Sequence, residues 1–119
     1  MEGEPMTDGE RRLLVAKWAE VLHLALVEIR YLAWQGRNDQ RIADLADLVH
    51  NLPHFMLGYF EHMHGYIREA FVKYAQTYRP DEDLTTDRFV SILDMDEQTF
   101  VARHQRRSWH WPDAGGAAN

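Results

Sequence analysis

The chain has 119 residues, 45% of them hydrophobic and 12% aromatic, with a formal charge of −6 and no cysteine. These values point to one globular domain with a real core, and they exclude disulfides, thiolate catalysis and any Cys-ligated metal. The acidic balance disfavours non-specific binding to nucleic acid or to an anionic membrane surface.

Residues 1–6 are expected to be disordered, residues 7–107 to form a single helical domain, and residues 108–119 to be a tail, flexible from about 113. The acidic opening MEGEPMTDGE is the opposite of a signal-peptide n-region. Thr7-Asp8-Gly9-Glu10 matches a capping box, a hydroxyl at the cap with a carboxylate three residues on. The first helix is predicted to run to about Gln35 and to stop at Gly36, with Gly36-Arg37-Asn38-Asp39 as the turn. Lys17, Glu20, Glu28 and Arg30 are too many charges for a spanning helix, so no membrane partner is expected; the absence of cysteine leans towards a cytoplasmic location.

The main apolar ridge of this helix is Leu14, Val15, Trp18, Val21, Leu22, Ala25, Leu26, Ile29, Leu32 and Ala33. A second, thinner stripe of Leu13, Leu24, Val27 and Tyr31 lies nearly opposite. A surface helix needs one apolar face, so this one is either central or half of a dimer interface. A homodimer through Leu13, Leu24, Val27, Tyr31 and Trp34 is expected.

The second helix, about Asp39 to Leu52, is amphipathic, with Ile42, Leu45, Ala46, Leu48, Val49 and Leu52 facing inward. Pro53 ends or kinks it, and Asn51 is the expected cap of the next helix. Pro53 to Arg79 reads as one continuous helix roughly 40 Å long. Its broad face of Met56, Tyr59, Phe60, Met63, Ile67, Ala70, Phe71, Tyr74 and Tyr78 would be the centre of the core. An acidic loop at 80–84 leads to a short helix of Phe89 to Leu93, capped by Thr85 or Thr86. Asp94 and Glu97 then suggest a capping box for a last helix. The expected fold is therefore all-α, a compact bundle of four to five helices. It would contain two long antiparallel helices, the second packed across them, and a short C-terminal helix pair.

Two Glu-x-x-His spacings, Glu20/His23 and Glu61/His64, match the way di-iron bundles aim a carboxylate and an imidazole at shared metals. Both Glu20 and Glu61 are placed by periodicity on outward faces, which suits surface ion pairs instead. A mononuclear site could be drawn from Asp47, His50, His54, Glu61 and His64, although Pro53 interrupts the helix between the histidines. No cofactor is expected. Only Ser91 and Ser108 offer serine hydroxyls, neither in a nucleophile elbow, and no catalytic residues are assigned. The seven histidines, fully protonated near pH 5, would take the charge from −6 to about +1.

Residues 86–107 have the spacing of a helix-turn-helix, with Gln98, Thr99, Arg103 and Arg106 as the candidate groove readers. Asp94 stands where such a turn usually has Gly, and the preceding acidic stretch opposes phosphate contact, so nucleic acid is disfavoured. The segment Arg106, Arg107, Trp109, His110 and Trp111 instead combines residue types enriched at binding hot spots. By elimination the chain reads as a non-catalytic, protein-binding helical module of the adaptor, inhibitor or immunity-type regulator kind. It would use its apolar stripe and its basic, aromatic C-terminus.

Overall fold

A computed structural model of the chain describes residues 6–36 and 39–105. The expectations for residues 1–5, for the turn residues 37 and 38 and for the C-terminal Arg106, Arg107, Trp109, His110 and Trp111 lie outside the described residues.

Six α-helices and no strand are found among the described residues: α1 (Asp8–Gln35), α2 (Asp39–Val49), α3 (Leu52–Gly58), α4 (His64–Tyr78), α5 (Val90–Leu93) and α6 (Glu97–Gln105). Single 3-10 turns at Glu61–Met63 and Leu84–Thr86 connect α3 to α4 and precede α5. This is an all-α bundle. The opening capping box is present in full, with Thr7 N–H donating to Glu10 Oε1 at 2.9 Å and Glu10 N–H to Thr7 Oγ1 at 3.1 Å. The first helix ends at Gly36, whose φ of 71° places it in the left-handed region where glycine carries no Cβ penalty.

The expected continuous helix from Pro53 to Arg79 is broken. α3 closes with the two hydrogen bonds of a Schellman motif, Phe60 N–H to Phe55 C=O at 2.9 Å and Tyr59 N–H to Met56 C=O at 3.3 Å. The left-handed residue is Tyr59, at φ 54°, an unusual choice for an aromatic side chain. Phe60 then folds back on Phe55 with ring centroids 5.9 Å apart, the apolar contact that accompanies this cap. A Cβ on Gly58 would lie 2.6 Å from the Phe60 ring, so the glycine serves close approach here and not φ.

The break sets the direction of the rest of the chain. α1 and α2 are antiparallel, with Glu28 beside Arg41 near the top and Trp18 beside Phe55 near the bottom. α4 then rises again in the same sense as α1: Arg11 meets Glu61, Trp18 meets His64, and Glu28 meets Tyr74 and Arg79. The antiparallel partner of α1 is thus the α2–α3 arm, and α4, the longer part of the expected Pro53–Arg79 helix, runs parallel to it. Trp18, Val21 and Ala25 of α1 are fully buried against Leu45, Leu52, Phe71, Phe89 and Leu93.

The short C-terminal helices also start differently from expectation. Asp87, not Thr85 or Thr86, caps α5, its Oδ2 accepting the backbone N–H groups of Phe89 and Val90 at 3.0 and 3.1 Å. Asp96, not Asp94, caps α6 by accepting Thr99 N–H at 2.7 Å.

Candidate interaction surface

Three features of α1 distinguish it from an ordinary bundle helix. The first is buried charge. Glu28 is 5% exposed and receives three arginines and a phenol. Arg79 Nη1 donates to both carboxylate oxygens at 3.1 and 3.0 Å, Arg41 Nη2 at 3.2 Å, Arg88 Nη1 at 3.1 Å and Tyr74 Oη at 2.6 Å. Arg79 in turn bridges to Asp87, with Nη2 3.0 Å from Oδ1. Burial opposes ionisation of Glu28, but the Tyr74 hydroxyl and Arg79, then Arg88, outweigh it and hold its carboxyl below the usual range. Burial and the bond to Glu28 push Tyr74 up to about 12, so the phenol keeps its proton and remains a donor. This cluster ties α1, α2, α4 and the loop before α5 together, and it has the character of a structural clamp.

The second feature is a polar contact at the lower end of the helix. Trp18 Nε1–H donates to His64 Nδ1 at 3.1 Å, and Lys17 Nζ donates to the Leu93 carbonyl at the end of α5 at 3.3 Å. Burial pushes the Lys17 ammonium down. Burial, then the charge of Lys17, pushes the His64 imidazole down. An unfolded histidine takes up a proton near pH 6.5, whereas folded His64 does so only at lower pH. Its contribution to stability is therefore present above about pH 6.5 and is lost as the pH falls through the folded value. Wild type is expected to lose stability between pH 7 and pH 5 in denaturant titrations. His64→Gln, which can still accept the indole hydrogen, is expected to lose less. An equal loss in both would show that His64 is not the group responsible.

The third feature is the outer face. At about 100° per residue, Leu26, Arg30, Trp34, Val27 and Tyr31 fall within one arc of about 140°, opposite the buried Val21, Ala25 and Leu32. On this arc Leu26 is 53% exposed, Val27 51%, Tyr31 56% and Trp34 73%. The Arg30 guanidinium lies 4.3 Å from the Trp34 ring centroid, and Gln35 Nε2 donates to Tyr31 Oη at 3.0 Å. The lower continuation of this face is covered. Leu13 and Leu24 are half-buried against the core, Glu20 is buried, and Arg103 Nη2 of α6 reaches Glu20 Oε2 at 3.1 Å. Glu20, where the end of α6 is held, thus stands nearly two turns below Val27, where the stripe is exposed.

Of the residues expected at a dimer interface, Val27, Tyr31 and Trp34 share the exposed stripe, whereas Leu13 and Leu24 are turned partly inward. Leu26 joins the stripe, although apolar periodicity assigns it to the core ridge; Ala33 is likewise exposed. Glu20, expected outward, lies buried because Arg103 and His104 of α6 cover it, and Glu28 is buried within the arginine cluster.

The other candidate sets are not assembled. Glu61 is engaged by Arg11 at 3.2 Å, and His64 accepts from Trp18. His50 Nδ1 lies 2.7 Å from the Asp47 carbonyl, and His54 packs edge-on against Phe60. No three His, Cys, Asp or Glu residues converge as a metal site among the described residues. On α6, Gln98 and Thr99 are exposed, while Arg103 is turned to Glu20 and the first helix of the pair is a single turn. No described helix is long and apolar enough to cross a membrane.

No family model matches the chain, and no curated protein or solved structure shows significant similarity to it. The functional reading therefore rests on the chain's own geometry.

Proposed function

We propose that this chain is a non-catalytic, protein-binding helical module whose binding face is the upper outer stripe of α1, and that a second copy of the chain occupies it. The observation that carries this reading is the joint exposure of Leu26, Val27, Tyr31 and Trp34 on one face of a helix anchored from behind by Glu28. Apolar residues recurring at three- and four-residue intervals along a rigid helix suit packing against another helix. A stripe on one helix also pairs with itself about a two-fold axis, the commonest symmetry of small oligomers. Trp, Tyr and Arg are the types most enriched at interface hot spots, and all three are present on the stripe.

The stripe spans about 12 Å from Leu26 to Trp34 at 1.5 Å per residue. Such a patch falls short of the roughly 800 Å² per partner of a standard stable interface, so pairing is expected to be weak and concentration-dependent.

Light scattering over a concentration series tests the reading. Wild type is expected to move from monomer towards dimer, and Val27→Glu with Trp34→Glu to remain monomeric with unchanged helical content. Both positions are exposed, so the variants report on association and not on folding; Leu24, half-buried, would confuse the two. A wild type that stays monomeric throughout, or a dimer indifferent to both substitutions, overturns the proposal.

A further inference from the structure

The exposed stripe of α1 carries a titratable group at its lower end. His23 is exposed, one turn below Leu26 and Val27, and at about 100° per residue it falls between Arg30 and Trp34 in angle. It makes no hydrogen bond or ion pair with another described residue. The acid within one turn on this side is Glu20, which is buried and already holds Arg103 at 3.1 Å and His104 at 3.7 Å.

The charged groups of the neighbouring elements are engaged elsewhere. On α2, Arg41 turns to Glu28, Asp44 accepts from Tyr78, and Asp47 lines the groove towards α4. Asp39, the first residue of α2, stands above the Glu28–Arg41 pair, at the other end of the stripe. His50 Nδ1 lies 2.7 Å from the Asp47 carbonyl, and His54 of α3 packs on Phe60. On α6, Glu97 begins the helix, at the opposite end from Arg103 and His104. The elements α4 and α5 meet α1 through Trp18, Glu28 and Lys17, on its other sides. The charge on the stripe itself is that of Arg30, over the Trp34 ring at 4.3 Å.

We infer that protonation of His23 opens the paired form, so that two copies hold together near neutral pH and separate in acid. The gate rests on the stripe being the face that a second copy occupies. Both two-fold arrangements of the stripe lead to the same conflict of charge. With the axis along the helices, His23 meets His23 of the second copy and Arg30 meets Arg30. With the axis across them at the centre of the stripe, His23 meets Trp34 of the second copy, whose ring already holds Arg30. Either way the proton sets a new cation beside cations on a seam from which water is displaced, and the stripe offers no carboxylate to receive it. In the single chain the same imidazolium stays in water. The single chain therefore binds the proton more readily than the pair, and by linkage pairing is favoured near neutrality and lost as the pH falls.

Light scattering of the full chain over a concentration series at pH 7.5 and pH 5.5 tests the gate, with circular dichroism at both values to follow helical content. Wild type should pair at least about tenfold more weakly at pH 5.5, since each pair formed there releases protons from two histidines. His23→Gln should pair equally well at both values. His23→Arg, charged throughout, should pair at pH 7.5 as weakly as wild type does at pH 5.5. That comparison is independent of how stable the fold is in acid. An acid loss that persists in His23→Gln, or a His23→Arg variant that pairs as tightly as wild type at pH 7.5, overturns the gate and leaves the pairing itself standing. A wild type that stays monomeric at pH 7.5 overturns the second-copy reading, and the gate with it.

Discussion

Replacing Glu28 with Ala is expected to lower the stability of the folded chain by roughly 3–5 kcal/mol, the range for removing one partner of a buried ion cluster. The loss arises chiefly at two groups. Arg79 is 8% exposed and would keep only Asp87 as a buried counter-charge, and the Tyr74 hydroxyl would lose its acceptor at 2.6 Å. Arg88 contributes little, since its side chain is half-exposed and can return to water. At about 4 °C per kcal/mol for a domain of this size, the melting temperature should fall by about 15 °C.

The pH dependence of the same variant has a definite sign. Glu28 titrates below its unfolded value of about 4.3, so its contribution is present above that pH and is lost as the pH falls through the folded value. Glu28→Ala should therefore differ most from wild type near neutrality and least in strong acid. A calorimetric series showing a deficit under about 1 kcal/mol at pH 7, or one that grows on acidification, would remove Glu28 from the centre of the fold.

Truncating Trp18 to Ala is expected to cost a comparable 3–5 kcal/mol, by a different mechanism. The indole is completely buried, edge-on to Phe55 with centroids 6.5 Å apart, and it supplies the donor to His64 Nδ1. Removing it opens a cavity where α1, α3 and α4 converge and leaves the imidazole nitrogen without its hydrogen bond. Trp18→Phe separates the two effects, because it keeps most of the packing and loses only the donor. It should cost about 1–2 kcal/mol in denaturant titrations. If both substitutions cost the same, packing is not what Trp18 contributes.

Trp18 and Glu28 show where local pattern is sufficient and where it is not. The all-helical fold, the Thr7–Glu10 cap, the stop at Gly36 and the inward faces of Trp18, Val21, Leu45 and Phe71 are all legible in the amino-acid sequence. Each depends on neighbours within about four residues, and 3.6-residue periodicity reports those directly. The break at Tyr59 is not legible. Its cap places an aromatic residue, where glycine is usual, in the left-handed position, and what stabilises it is Phe60 folding back on Phe55. With that break hidden, the direction of α4 relative to α1 is also hidden.

The charged residues of α1 mark the same boundary more sharply. Periodicity places Glu20 on the outward side, and Glu28 only at the edge of the main ridge, with nothing in α1 to say what meets either charge. Folding is what brings Arg41, Arg79 and Arg88, from 13 to 60 positions away, onto one carboxylate, and brings α6 onto the other. Conversely, residue order within α1 is enough to dictate apolar residues on two of its sides, since that needs nothing beyond the helical repeat. Which half of the second side remains exposed is decided in the folded chain, where Leu13 and Leu24 pack partly against the core and Val27, Tyr31 and Trp34 face outward. Exposure depends on what the rest of the chain leaves uncovered, and no local pattern within α1 contains that information.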